Sequence, residues 1–179
     1  EGKVIQMFTE ISQKYGRLDI LINNAGIALM NHMLITSIAS AREIFNTNVI
    51  GTFLFCREAA RIMKKYRYGR IVNFTTIATP LKIEWESIYA SSKAAVINLT
   101  EILAKELGEF GITINAIGPG PVKTMMTEAL SREKIDAIIN NLQAIHRMAE
   151  LSDISNVIDF FIKPESNFIT GQTIFLGGV

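Results

Sequence analysis

The sequence has little of the residue types that mark several functional classes. Its 179 residues contain a single cysteine, Cys56, so they hold no intrachain disulfide framework. The two histidines, His32 and His146, are far apart and lack carboxylate or cysteine partners at ligand spacing, so no metal site is expected. The formal net charge is +1, which gives no argument for a nucleic-acid or membrane-surface partner.

Targeting and membrane-spanning segments are also missing from the sequence. No apolar run is long enough to cross a bilayer, and no signal-peptide pattern is present, which favours a cytoplasmic location. Cys56 lies in the apolar stretch "FLFCREAA". That setting favours a buried structural thiol over a nucleophile.

The residues that are present are typical of one globular domain. Apolar residues make up 49% of the chain and charged residues 20%. A chain of this length can bury a core of its own. We see no repeats, linkers or low-complexity segments, so we expect one domain over 1–179.

Helical and strand-like patterns alternate along the chain. Strands are predicted in four stretches, "LDILINNAG", "RIVNFTT", "ITINAIGPG" and "QTIFLGG". Helices are predicted over 4–16, about 40–65, 87–111, 131–143 and 152–162, the last two with Ser131 and Ser152 as N-caps. This alternation predicts an α/β fold, a Rossmann-like doubly wound parallel sheet with helices on both faces. Any ligand should then sit at the carboxyl ends of the strands.

One element expected of such a sheet does not occur. No turn of the form G-x-G-x-x-G, which would receive a pyrophosphate, is found in these residues. The apolar strand at 18–23, expected to be buried on both faces, would also be left as an unpaired edge. We therefore hypothesise that the N-terminal strands and the Gly-rich turn of the native protein are absent from this sequence.

A tyrosine and a lysine are placed four residues apart in "YASSK". Tyr89 and Lys93 would project from one face of a helix. An ammonium near a phenol favours the phenolate and lowers its pKa, so the pair could exchange a proton with an alcohol or carbonyl oxygen. A hydroxyl from Thr75 or Thr76, at the end of a neighbouring predicted strand, could polarise the same oxygen. Alone, such a pair occurs by chance on many helices.

Together with its surroundings, the pair points to a family. "YASSK", preceded by "LINNAG" and "GRIVNFTT" and followed by "INAIGPGPVKT", resembles the short-chain dehydrogenase/reductase family over essentially the whole chain. Within that family the sequence looks most like 3-oxoacyl-acyl-carrier-protein reductases. The resemblance implies an NAD(P)-dependent oxidoreductase that moves hydride between nicotinamide and a carbonyl or secondary alcohol. It does not tell NAD(H) from NADP(H).

The resemblance also implies roles for individual residues. Tyr89 matches the catalytic acid/base, Lys93 the lysine that lowers its pKa and binds the nicotinamide ribose, and Asn48 the asparagine of the proton relay. Thr76 stands where the family has serine. It keeps the hydroxyl but adds a methyl group, and we expect its role to survive. Cofactor contacts are expected from Asn24, Ala25, Gly26, Tyr89, Lys93, Pro119, Gly120, Val122 and Thr124.

Several further expectations concern the substrate and partners. The segment 121–150 should form a lid over the substrate, with Met125 and Met126 as either core or lid residues. Trp85 either lines the pocket or only packs. The family commonly pairs its long helices between subunits, so we expect a homodimer or homotetramer, with Phe53 and Phe55 at the interface or else in the core.

Other identities stay open at this point. A basic cluster is best interpreted as a solvated helix end, although it could suit an acidic acyl carrier protein; it comprises Lys64, Lys65, Arg67 and Arg70. Hydroxysteroid and polyol dehydrogenases share nearly all of these motifs. A non-catalytic relative or fragment is the remaining alternative, supported by the missing pyrophosphate turn and by Thr76.

Overall fold

The structure is a computed structural model that describes residues 1–124, 127 and 131–179. Its centre is a parallel sheet with the strand order β1-β2-β3-β4. The strands are β1 (Ile20–Asn23), β2 (Gly69–Phe74), β3 (Ile112–Gly118) and β4 (Thr173–Phe175). The helices are α1 (Gly2–Tyr15), α2 (Ile38–Phe45), α3 (Thr52–Met63), α4 (Ala78–Leu81), α5 (Ser87–Leu107), α6 (Arg132–Asn141) and α7 (Leu151–Ile162).

Helices cover both faces of the sheet, as the alternating pattern predicts. Ile71 of β2 belongs to a core cluster with α1 and α3, whereas the next residue, Val72, belongs to a cluster with Val157 and Phe161 of α7. Successive side chains of a strand point to opposite faces, so this switch separates two cores. The predicted Rossmann-like α/β fold is confirmed.

The first strand lies at a sheet edge, as predicted, but its burial differs from the prediction. β1 is at the edge of the sheet and pairs with β2 alone, and Ile20 and Ile22 are 40% and 42% exposed. It is therefore not buried on both faces. On that face, α7 packs mainly over β2 and β3.

Two helix ends illustrate where local signals succeed and fail. Ser131 caps α6 as predicted, because its side chain accepts a hydrogen bond from the backbone N–H of Lys134. Ser152, by contrast, lies inside α7. That helix begins one residue earlier, after Glu150, whose N–H donates to the carboxylate of Asp153 at 2.8 Å.

The predicted basic cluster is divided by the fold. Lys64, Lys65 and Arg67 are exposed where α3 ends in a 3₁₀ turn, which agrees with a solvated helix end. Arg70 is only 3% exposed and stacks on the Tyr68 ring at 4.4 Å, so it does not belong to that surface. All four residues lie toward the amino end of β2, away from the edge where ligands of parallel sheets bind.

Two further predictions can be compared with the packing. Cys56 is 1% exposed, and burial raises the pKa of its thiol to about 12, as expected of a structural cysteine. Phe55 packs edge-on against Phe8 of α1 at 5.6 Å, within the chain, whereas Phe53 stays 37% exposed.

Within the described residues, no helix combines the length and the apolar character needed to cross a membrane.

Candidate active site

The functional residues predicted from sequence meet at the carboxyl edge of the sheet. A cavity of about 760 Å³ opens there, beside the segments that follow β1, β2 and β3. The walls include every residue expected to contact a cofactor: Asn24, Ala25, Gly26, Tyr89, Lys93, Pro119, Gly120, Val122 and Thr124. Thr76 also lines this cavity, while Asn48 is fully buried behind it.

Tyr89 and Lys93 lie in the first two turns of α5. The helix begins with a 2.7 Å hydrogen bond from the N–H of Ala90 to the carbonyl oxygen of Glu86. The side chains of Tyr89 and Lys93 are 8% and 5% exposed. The ammonium Nζ of Lys93 donates to the carbonyl oxygen of Phe74, at the end of β2, at 2.9 Å. This bond fixes the helix start against the strand end.

Burial sets the protonation of the pair. It raises the pKa of the Tyr89 phenol to about 12, the negative charge of Glu86 acts in the same direction, and a hydrogen bond with Thr76 opposes them. Burial also lowers the pKa of Lys93 to about 8. The expected lowering of the Tyr89 pKa by Lys93 is not seen in the chain alone, because the ammonium is directed at the Phe74 carbonyl and desolvation dominates.

The two threonines after β2 have different positions. Thr75 is buried and its hydroxyl donates to the carbonyl oxygen of Lys93 at 3.1 Å, which ties the strand end to α5. Thr76 faces the cavity. Its hydroxyl accepts from the N–H of Ala78 at 3.2 Å and reaches the phenol of Tyr89. The hydroxyl therefore lies beside the phenol, where a reacting oxygen could contact both.

Asn48 lies in a π-helical segment, Asn46–Gly51, between α2 and α3. Its amide exchanges two 2.9 Å hydrogen bonds with the backbone of Ile27 and donates to the hydroxyl of Ser92 at 3.0 Å. Ser92 in turn donates to the carbonyl oxygen of Tyr89 at 2.7 Å. Single π turns frequently mark functional sites, and here the extra residue brings Asn48 to the segment after β1.

The residues present fit a nicotinamide cofactor at this edge. A Cβ added at Gly26 would lie 3.2 Å from both the Asn48 Oδ1 and the Lys93 Nζ, so a side chain here would crowd the two polar groups. The backbone of the 24–26 segment can therefore approach a ligand closely. Gly120, which also lines the cavity, packs so near Gln143 that a Cβ would stand 2.4 Å from its Oε1. Both glycines therefore let the backbone pack closely beside the cavity.

Some functional candidates were missed by sequence reasoning, and one open alternative is decided by the packing. Ser92 and Ile27 hold Asn48, and no sequence pattern distinguishes them from ordinary helix and loop residues. Glu86 lines the cavity, whereas its neighbour Trp85 does not: the indole is 46% exposed and packs on the His32 ring at 5.1 Å.

Met125 and Met126 lie outside the described residues. Among the described residues, no group of three His, Cys, Asp or Glu side chains is placed to hold a metal.

Comparison with known proteins agrees with this geometry. The family model described as enoyl-(acyl carrier protein) reductase matches residues 1–178. The chain is 34% identical over 176 residues to the 3-oxoacyl-acyl-carrier-protein reductase FabG of Staphylococcus epidermidis, covering 98% of this chain and 72% of the relative. It is 33% identical over 168 residues to FabG of Vibrio harveyi, with coverages of 94% and 68%.

Solved structures show the same similarity. ElxO with NADP bound is 32% identical, with a TM-score of 0.89 and coverages of 98% of this chain and 72% of that one. A candidate gluconate dehydrogenase from Agrobacterium tumefaciens is 30% identical, with a TM-score of 0.93 and coverages of 99% and 70%.

The doubly wound sheet, with a tyrosine, a lysine and a hydroxyl at its carboxyl edge, defines a nicotinamide-dependent oxidoreductase. More narrowly, the chain belongs to the short-chain dehydrogenase/reductase family.

Proposed function

We propose that this site reduces a carbonyl group to a secondary alcohol, and catalyses the reverse oxidation, with Tyr89 as the proton-exchanging residue. The observation that carries the proposal is the placement of Tyr89, Thr76 and Lys93 around one cavity at the carboxyl edge of the sheet. Bound nicotinamide would supply or accept the hydride. The chain's own residues supply the proton and hold the oxygen.

The roles of the residues follow from their contacts. The pKa of Tyr89, raised to about 12, keeps the phenol protonated at neutral pH, so it is ready to donate to a developing alkoxide. Thr76, beside the phenol, donates a second hydrogen bond to the same oxygen. Lys93 contributes a positive charge below pH of about 8, and Asn48 positions the segment that carries Gly26.

The segment 121–150 is proposed as the substrate-side wall of a single domain over 1–179. Its described residues Pro121, Val122, Thr124, Thr127 and Ile138 line the cavity. An apolar wall of this kind suits the carbon skeleton of a substrate. The family model, which spans residues 1–178, supports one domain.

The preferred substrate class is a 3-oxoacyl thioester, because relatives at 33–34% identity are 3-oxoacyl-acyl-carrier-protein reductases. A homodimer or homotetramer remains our proposal, with the exposed Phe53 as the available interface residue. The carrier protein is a weaker proposal, because the basic cluster lies at the opposite end of β2 from the cavity.

A polyol or sugar-acid dehydrogenase is the second candidate. It is favoured by a carboxylate, Glu86, that lines the cavity and is 6% exposed, and by the similarity to the candidate gluconate dehydrogenase. A wall formed only for an acyl chain would not need that group.

The test begins with fluorescence titrations of NADH and NADPH, followed by reduction of an acetoacetyl thioester with whichever coenzyme binds. We expect saturable binding and turnover, and we expect Tyr89→Phe to keep the binding and lose at least 100-fold in kcat. Failure of both coenzymes to bind would favour a non-catalytic relative or a fragment. Unchanged turnover in Tyr89→Phe would refute the mechanism.

A further inference from the structure

Glu86 is the one carboxylate among the described residues of the cavity wall. It is the N-cap residue of α5, three residues before Tyr89, and both residues line the cavity closely enough for the Glu86 charge to act on the Tyr89 phenol. Residues at this spacing have Cβ atoms about 5–6 Å apart. A substrate group that is hydrogen-bonded to Glu86 would therefore be separated by only a few covalent bonds from the reacting oxygen that Tyr89 and Thr76 hold.

Glu86 is a largely buried residue whose carboxylate faces the cavity and has no close partner in the described part of the chain. Its residue is 6% exposed, yet none of the hydrogen bonds or ion pairs found among the described residues reaches its side chain. The charge of Lys134 on α6 acts on it from a distance, while the Lys134 ammonium lies over the Trp85 ring at 5.1 Å. A desolvated carboxylate of this kind is unfavourable unless a donor reaches it.

A purely structural role does not account for this placement. Glu86 contributes its backbone carbonyl to the first hydrogen bond of α5, which any residue could do. Its negative charge opposes ionisation of Tyr89 but forms no bond that orients the phenol. What the side chain supplies to the cavity is an acceptor oxygen in an otherwise largely apolar wall that includes Ile77, Ala78 and Ile83.

We propose that Glu86 is a specificity-determining residue that accepts a hydrogen bond from a donor on the substrate, a hydroxyl or an ammonium group close to the reacting carbonyl. The inference rests on carbonyl reduction at the same site, because its distances are set by Tyr89. It favours hydroxylated or amino-bearing carbonyl compounds, as in the second candidate function, over the 3-oxoacyl thioester that similarity to the reductases suggests. A simple acyl chain would leave the carboxylate buried and unpaired.

The test compares three ring ketones of similar size: cyclohexanone, 2-hydroxycyclohexanone and 4-piperidone. The ratio of kcat/KM for each donor-bearing ketone to kcat/KM for cyclohexanone is measured in the wild type, Glu86→Met and Glu86→Gln. The matched control is Glu84→Gln, since Glu84 is exposed and lies outside the cavity wall.

We expect Glu86→Met to lower both ratios by about 10- to 100-fold, in line with the loss of a hydrogen bond to a charged group. Glu86→Gln separates the two donors. Its amide oxygen can still accept from a hydroxyl, but it has no charge for an ammonium, so only the 4-piperidone ratio should fall by the full amount. The Glu84→Gln ratios should match the wild type.

Ratios that are the same in Glu86→Met and in the wild type would overturn the inference. If the wild type reduces none of the ketones although it binds coenzyme, the proposed function fails separately. In that case, calorimetric binding of the same three compounds to the coenzyme complex decides the inference. Donor-selective binding that Glu86→Met removes would support it, and equal binding by both proteins would refute it.

Discussion

The buried carboxylate of Glu86 should leave a measurable pH dependence in the stability of the fold. Burial raises its pKa from the ordinary value of 4.5 to about 7, and the charge of Lys134 opposes this only in part. The folded chain therefore holds this proton more tightly than the unfolded chain does. The cost of ionising Glu86 in the fold is absent below pH 4.5, grows between pH 4.5 and 7, and is complete above pH 7.

The magnitude follows from the pKa difference. At 1.36 kcal/mol per pKa unit, this difference corresponds to about 3 kcal/mol of unfolding free energy. Glu86→Gln replaces the carboxyl with a neutral amide of the same shape, which does not titrate. Relative to the wild type, the variant should gain about 3 kcal/mol in stability when the pH is raised from 4 to 8.

The assay is urea unfolding of the wild type and Glu86→Gln at several pH values between 4 and 8, at one protein concentration. Every other titrating group is common to both proteins, so its contribution cancels in the difference. Glu84→Gln, on the exposed side of the same loop, should stay within about 0.5 kcal/mol of the wild type throughout. If the difference in unfolding free energy between the wild type and Glu86→Gln does not change with pH, the burial argument is refuted.

Three further predictions concern the catalytic groups. Thr76→Ala should lose about 100- to 1,000-fold in kcat for carbonyl reduction, because one donor to the oxyanion is removed, whereas Thr76→Ser should keep kcat within a few-fold of the wild type. Equal activity of all three proteins would exclude a role for the hydroxyl. The value of kcat/KM for carbonyl reduction should fall as the pH rises through about 8, because Lys93 loses its proton there while Tyr89 stays protonated. A pH–rate profile that is flat to pH 10 would contradict this assignment. Gly26→Ala should weaken coenzyme binding at least 10-fold in a fluorescence titration, because the added methyl group crowds the Asn48 and Lys93 side chains. Unchanged affinity would count against a close approach of the coenzyme to the 24–26 segment.

The elements that sequence predicted well are those with a strong local signal. The helix that carries Tyr89 has recurring apolar residues and ends at Leu107, and the 3₁₀ turn that follows it is closed by Gly111 with a left-handed φ of 71°. A Cβ at Gly111 would lie 2.2 Å from the Arg67 carbonyl oxygen. The glycine that the sequence analysis used to predict the helix end is therefore also required by the packing. β2 and β3 carry apolar residues toward both faces and are buried throughout or nearly so, as a central parallel strand requires.

The errors arose where a residue's environment depends on distant parts of the chain. β1 is a short apolar run that suggests a buried strand, but its position at the sheet edge leaves Ile20 and Ile22 partly exposed. Arg70 follows a run of solvated basic residues, yet it is the strand that carries it into the interior, where it packs on Tyr68. Local composition does not encode strand order or helix coverage.

The α/β class, the family and the candidate residues could be predicted from sequence, because periodicity, caps and motif spacing are properties of neighbours along the chain. Which charges are desolvated could not be predicted, because it depends on the fold. The fold buries Glu86 in the cavity and exposes the adjacent Trp85, and it directs Lys93 at the Phe74 carbonyl rather than leaving it free to lower the Tyr89 pKa. Protonation depends on the atoms that surround a group in space, and these come from segments far apart in the sequence.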